Sequence, residues 1–270
     1  MTERNRHLGE LAAVDAATAV TERSVLILPI GAMEQHGPHL PLATDLLVID
    51  AFADTVVAEA GDALDLWRLP SLAFSKSNEH AWAAGTVWLA PETLLAVMRD
   101  IGRSLSTLAA RKLVLLNGHG GNTGLLDVVC RELRLAFGFQ TFLLHASLPA
   151  DHGGEGASEE SGLGIHGGVA ETSMLLHLRP DLVDMTAAVR NVPTWMTTQQ
   201  HVRFGGSASF GWLSDDFGPS GVIGDATIAT ADRGKVAFEE GVRHLIDVLT
   251  EVAAFEFPDR VAPDLQAGET

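Results

Sequence analysis

Residues 31–45 read GAMEQHGPHLPLATD and bring Glu34, His36, His39 and Asp45, all of metal-binding type, into one short stretch. In an extended segment, side chains at i and i+2 point the same way, so Glu34 and His36 can face one ion. Pro38 and Pro41 exclude a helix here. They stiffen the return path, so Asp45 can come back to the same place. Two carboxylates and an imidazole suit zinc, manganese or iron. The same residues also fit a blander reading, in which Glu34 and Asp45 are turn and cap residues and Asp45 caps the following helix.

Three further clusters carry chemistry-bearing residues. NGHGGN (117–122) sets His119 in a glycine-rich turn, where Gly120 and Gly121 would let an ion or substrate approach the backbone. Asn117 and Asn122 can hold that turn. Its alternative is an anion-binding loop at a helix N-terminus, which would make the protein a non-enzymatic nucleotide or phosphate binder. The stretch lacks the Lys-Ser/Thr of a P-loop and the spacing of a dinucleotide fingerprint. GIHGGVAETS (164–173) places His166 before a helix and Glu171 in its first turn, where an acid is also favourable electrostatically. SKSNEHAWAAGTVWL (75–89) offers Ser77, Glu79 and His80 either to a substrate site or to a polar turn. His39 reads as structural. His7, His145, His152, His177, His201 and His244 have no partner at useful spacing and read as surface or core histidines.

The elements that must position these residues alternate. SVLILPIG (24–31) is a buried strand, and 46–61 is a helix with a glycine stop. Residues 64–74 are strand-like, with Pro70 at an edge or bend, and GTVWL (85–89) is strand-like too. A helix over 90–112 starts at Pro91 and Glu92, and KLVLLN (112–117) is a strand. Helix 122–138, strand 139–146, helix 169–183 ended by Pro180 and helix 232–256 complete the series. Strand–helix alternation predicts an α/β fold, with helices on both faces of a mainly parallel sheet and the site beyond the strands' carboxyl ends. One domain spans 1–256, and residues 257–270 form a flexible tail.

The 270 residues are 46% hydrophobic and carry a formal charge of -17, which disfavours nucleic acid and anionic membranes as partners. No run reaches bilayer-spanning length and the N-terminus lacks a signal-type apolar region. Cys130 is the single cysteine, which excludes an intrachain disulfide and predicts a cytoplasmic protein.

Taken in order, LPIGAMEQHGPHLPLATD, SNEHAWAAGTVWL, LVLLNGHGGN, HGGVAETSMLLHLRP and GVIGDATIATADRGKVAFEEGV resemble the creatininase family of metal-dependent amidohydrolases from about residue 24 to 250. The resemblance implies a three-layer α/β/α domain, a homohexamer built as a trimer of dimers, and two divalent ions per chain. Zinc comes first among these, with manganese or iron as alternatives. By position, Glu34 and His119 would bind one ion and His36 the other, with Asp45 bridging. A glutamate that creatininase itself has two residues after this histidine is here Gly121, and Glu171 is its natural replacement. A hydroxide between the ions would attack an amide carbonyl, with His166 assisting proton transfer. The family includes small-amide hydrolases, formamide deformylases and peptide-processing members. Loop 150–165 has none of the tryptophans found around the creatininase site, which argues against creatinine, and short loops without a basic cluster for a phosphate point to a small cyclic or linear amide as the substrate.

Overall fold

The computed structural model describes residues 6–147, 152, 154 and 156–258. Its central sheet has four strands, β1 (Val25–Ile30), β2 (Leu66–Arg68), β3 (Lys112–Asn117) and β4 (Gln140–Leu144), in the order β2-β1-β3-β4. All three pairings are parallel, and β1 runs against β3 in full register from Val25↔Lys112 to Ile30↔Asn117. Helices α1 (Ala13–Ala19), α2 (Thr44–Leu64), α3 (Pro91–Leu105), α4 (Thr123–Phe137), α5 (Val169–Leu178) and α6 (Ala231–Ala254) complete the layers, with a two-stranded ribbon of β5 (Arg190–Asn191) and β6 (Gly224–Asp225) beside them.

Period-two alternation decides which helices each strand face meets. Val25, Ile27, Val114 and Leu116 point to one side and pack with α2 and α6 through Ile49, Phe52, Val56, Leu245 and Leu249. Leu26, Leu28, Leu113 and Leu115 point to the other and pack with α3 and α4 through Leu94, Met98, Leu126, Val129 and Leu133. Both faces of the sheet are therefore covered, as the unbroken apolar runs require. A smaller core of Leu163, Met196, Phe204 and Ile223 lies outside the sheet.

Several boundaries differ from the sequence expectation. Helix α2 passes through Gly61, which is buried with the Arg6 chain against it, and stops at Asp65 in the left-handed region (φ 53°). Packing there outweighs the roughly 1 kcal/mol that glycine costs in a helix. Helix α3 ends at Leu105 because Ser106 and Thr107 hydroxyls donate back to the carbonyls of Arg103 and Ser104. Strand β2 is three residues long and stops before Pro70, while GTVWL contributes one bridge, Met33 to Val87. Helix α5 ends at Leu178, before Pro180. The expected tail falls mostly outside the described residues. No helix among them is long and apolar enough to cross a membrane.

The chain leaves β1 towards β2 on one face and returns to β3 on the other. The loops after β1 and β3 are thus splayed side by side, the place where open α/β sheets bind ligands.

Candidate metal centre

The loop after β1 is pinned before it delivers its side chains. Glu34 N–H donates to the Leu42 carbonyl (2.9 Å), and Val87 N–H to the Met33 carbonyl (2.9 Å). Thr44 Oγ1 donates to the Pro41 carbonyl at the start of α2 (2.7 Å), which sets Asp45 in the helix's first turn rather than at its cap. After β3, Asn117 Nδ2 donates to the His119 carbonyl (2.7 Å) and Asn122 Nδ2 to Asn117 Oδ1 (3.2 Å), so the two asparagines brace the turn as expected.

These two loops and the first turn of α5 converge. His36 Nε2 lies 3.1 Å from Asp45 Oδ1 and 3.8 Å from Glu171 Oε1. His119 lies 3.2 Å from Asp45 Oδ2 through Nδ1 and 3.2 Å from Glu34 Oε2 through Nε2. Three overlapping sets of ligand atoms could each surround an ion: Glu34, Asp45 and His119; His36, Asp45 and Glu171; and Glu34, His36 and His166. Asp45 belongs to both of the first two.

The donor chemistry fits divalent cations, and so does the bonding. Glu34 Oε1, Asp45 Oδ2 and His119 Nε2 are buried without a hydrogen-bond partner, their close contacts lying off hydrogen-bond geometry. Buried polar atoms rarely go unmatched, and buried carboxylates are costly unless paired. Three such atoms converging here are what cation coordination would satisfy. Burial pushes the Glu34 carboxyl up to about 8, against the pull of His119 and His36. For His36, burial is outweighed by Asp45, Glu171 and Glu34, which lift it to about 10. For His119, burial is outweighed by Glu34, Asp45 and Glu79, and it too rises. The acids therefore draw positive charge to this place.

Other residues orient the cluster. The Ser77 hydroxyl donates to Glu34 Oε2 (2.5 Å), so this residue is turned to the acid. His166 stacks between His36 and His80, with ring centres 4.3 and 4.1 Å away. Its Nε2 donates to the Gln35 carbonyl (2.6 Å), and Nδ1 faces Glu34 Oε1 at 3.6 Å. Burial, reinforced by His80 and His36, holds His166 well below the usual histidine value. Glu171 Oε2 accepts the Gly167 N–H (2.5 Å). His39 bonds Thr172 Oγ1 (2.8 Å), consistent with a structural role. Glu79, His80, Gly120 and Gly121 line a cavity of about 270 Å³ that opens onto the cluster.

Three residues on this cavity or in the cluster were not legible beforehand, and one was misplaced. His145 lines the cavity, bonded to Asn117 and Thr123 (3.2 Å each), rather than lying away from it. Gln35 Nε2 donates to His80 Nδ1 (2.9 Å) and the Gln35 carbonyl accepts from His166 Nε2, so Gln35 links the two rings, although alternation with Glu34 and His36 put it on the opposite side. Trp212 supplies an aromatic wall from a segment with no periodic signal. Glu160 is buried and accepts the N–H groups of Val169 (2.9 Å) and Asp225 (2.6 Å), tying the start of α5 to β6.

A family model described as creatininase, creatinine amidohydrolase, matches residues 9–249. The mycofactocin precursor peptide peptidase of Mycobacterium tuberculosis (strain ATCC 25618 / H37Rv) is 35% identical over 238 residues, 86% of this chain and 86% of that protein. Creatinine amidohydrolase of Pseudomonas putida is 32% identical over 252 residues, 87% and 90% of the two chains. A tryptophan-to-alanine variant of creatininase superimposes with a TM-score of 0.71 at 28% identity, covering 93% of this chain and 99% of that one. Solved creatininases include a manganese form (TM-score 0.69, 28% identity, 92% and 98% coverage) and a Zn–Zn type (0.66, 26%, 92% and 98%).

Proposed function

The chain belongs to the creatininase family, as a hydrolase of carbon–nitrogen bonds, and we propose that it cleaves a small cyclic or linear amide at a two-ion centre. The observation that carries this reading is the convergence of unpartnered, buried Glu34, Asp45 and His119 atoms at the switch point of the sheet. Glu34 and His119 would hold one ion, His36 and Glu171 the other, and Asp45 both. Zinc suits this set best, with manganese or iron as alternatives. Such a pair, when bound, lowers the pKa of water towards about 7 and polarises a carbonyl.

The chain's own groups do the rest. The Ser77 hydroxyl fixes one oxygen of Glu34, and the Gly167 N–H fixes one oxygen of Glu171. The Gln35 carbonyl occupies His166 Nε2, so Nδ1 is the atom that exchanges a proton with the substrate. In the neutral ring Nδ1 is bare, so it would take a proton from the attacking water and pass it to the departing nitrogen, which makes His166 the proton carrier of C–N cleavage. His80, Glu79, Gly120 and Gly121 frame the space where the substrate would lie, with Trp212 across from them. Anion binding by 117–122 is disfavoured, because His119 is set among the carboxylates of Glu34, Asp45 and Glu79.

A second reading, cleavage of a peptide as in the peptide-processing branch, is favoured by the 35% identity to a precursor peptide peptidase. We place either activity in the cytoplasm, in keeping with a lone Cys130 whose thiol burial pushes up to about 11. One experiment tests the centre. The purified protein should carry two divalent ions by elemental analysis. Chelation should abolish hydrolysis across an amide and peptide panel, and zinc or manganese should restore it. Asp45→Ala should lose both ions; full metal content in that variant sinks the two-ion reading.

A further inference from the structure

Gly121 lies in the turn between β3 and α4, on the cavity wall. A Cβ built on it would sit 1.7 Å from Glu79 Oε1 and 2.5 Å from His119 Nε2. No side chain can occupy position 121 while Glu79 is in place. Glu79 arrives from elsewhere in the chain, the short turn Asn78–His80 between β2 and α3. That turn is braced on both sides. Asn122 Oδ1 accepts the Lys76 N–H (3.1 Å), and the Ser214 hydroxyl donates to the Glu79 carbonyl (3.2 Å).

Glu79 is 6% exposed, and its two carboxylate oxygens have different neighbours. Oε2 is 2.6 Å from Lys76 Nζ. Oε1 points the other way, 3.3 Å from His119 Nε2, the nitrogen that has no hydrogen-bond partner. Glu34 Oε2 lies 3.2 Å from the same nitrogen. Donor atoms at about 2.1 Å around a tetrahedral ion are roughly 3.4 Å apart. Each spacing to His119 is that of neighbouring donors on one ion, and Glu79, which is outside the three sets whose ligand atoms all lie within 4.8 Å of one another, would close on the ion as it binds.

We propose that Glu79 is a ligand of the ion held by Glu34, Asp45 and His119, binding through Oε1 while Lys76 anchors Oε2. Gly121 is the permissive half of this arrangement, since its bare Cα leaves the volume that the Glu79 carboxylate fills. The assignment rests on the two-ion reading and adds a further acid to it, reaching the ion from the β2–α3 segment. The Glu79 carboxylate and a side chain at position 121 compete for one volume, and only one can fill it at a time.

Reciprocal substitution tests this, with metal content and thermal stability as readouts alongside activity. Glu79→Gln, close to isosteric, should fold and keep the ion bound by His36 and Glu171. It should weaken the other at least about tenfold in chelator competition, the lower range for groups that merely support a ligand. Gly121→Ala should lower the melting temperature in the wild-type background and do so much less in Glu79→Ala, where the colliding oxygen is gone. Two ions at unchanged affinity in Glu79→Gln would overturn the assignment while leaving the two-ion centre intact. An equal melting-temperature loss for Gly121→Ala in both backgrounds would also overturn it. A wild-type protein without ions would remove the assignment and the centre together.

Discussion

An amide nitrogen leaves only once it is protonated, and a metal centre cannot supply that proton. His166 is placed to do so because its two ring nitrogens have separate duties, Nε2 on the Gln35 carbonyl and Nδ1 towards Glu34. His166→Ala should therefore retain both ions by elemental analysis and lose about 10²–10⁴-fold in turnover. The loss should shrink for amides with better leaving groups; equal losses across such a series would assign His166 to binding instead. Glu171 differs, since one oxygen holds the Gly167 N–H and the other faces His36. Glu171→Gln still accepts that N–H, so it should keep the fold and lose one ion preferentially, and retention of both at wild-type affinity would count against the assignment. At this scale the sequence was readable where spacing matched geometry. The i, i+2 rule and two prolines put Glu34, His36 and Asp45 together, and the structure gathers their side chains in one cluster. Gln35 was missed because Gly37, at φ 78°, turns the chain so that residue 35 bonds back into the cluster.

The two helices whose first turns supply Asp45 and Glu171 pack with α6 on one face of the sheet, and α3 and α4 pack on the other. Asp45 and Glu171 sit in the first turns of α2 and α5, which join the core containing Phe52 and Leu245. Met98 of α3 is fully buried in the other core. Met98→Ala should cost about 2–5 kcal/mol of stability, read from the denaturant midpoint. The folded fraction should still bind its full complement of ions, and a matching loss of metal affinity would show that the two faces are coupled. This separation also explains what was legible in the elements. Apolar runs such as VLILPI and KLVLLN identify strands buried on both faces, and their alternation with helical periods gives the parallel sheet. Boundaries set by tertiary contact carry no local signal. Arg6 against Gly61 lets α2 continue, and the hydroxyls of Ser106 and Thr107 stop α3. The short turn that brings Glu79 to His119 is likewise fixed by partners more than forty residues away, Asn122 and Ser214.

At the scale of the molecule, a formal charge of -17 works against self-association unless an apolar surface overcomes it. Such a surface lies in the segment between β2 and α3, where Phe74, Trp82, Val87 and Trp88 are all more than 40% exposed. Large apolar side chains gathered in one exposed segment mark an association site. That segment also supplies Ser77, Glu79 and His80, and Val87 pairs with Met33 beside the loop bearing Glu34. A contact between subunits here would steady the residues that approach the ions. We therefore expect the homohexamer that the family resemblance implies, with this segment in one of its interfaces. Light scattering at micromolar concentration should report six chains. Trp88→Glu, an added charge in an apolar contact, should shift the mass to a smaller species. Because the segment carries Glu79, the dissociated variant should also lose metal affinity. A monomeric wild-type protein would refute the assembly, and an unshifted hexamer in Trp88→Glu would place the interfaces elsewhere.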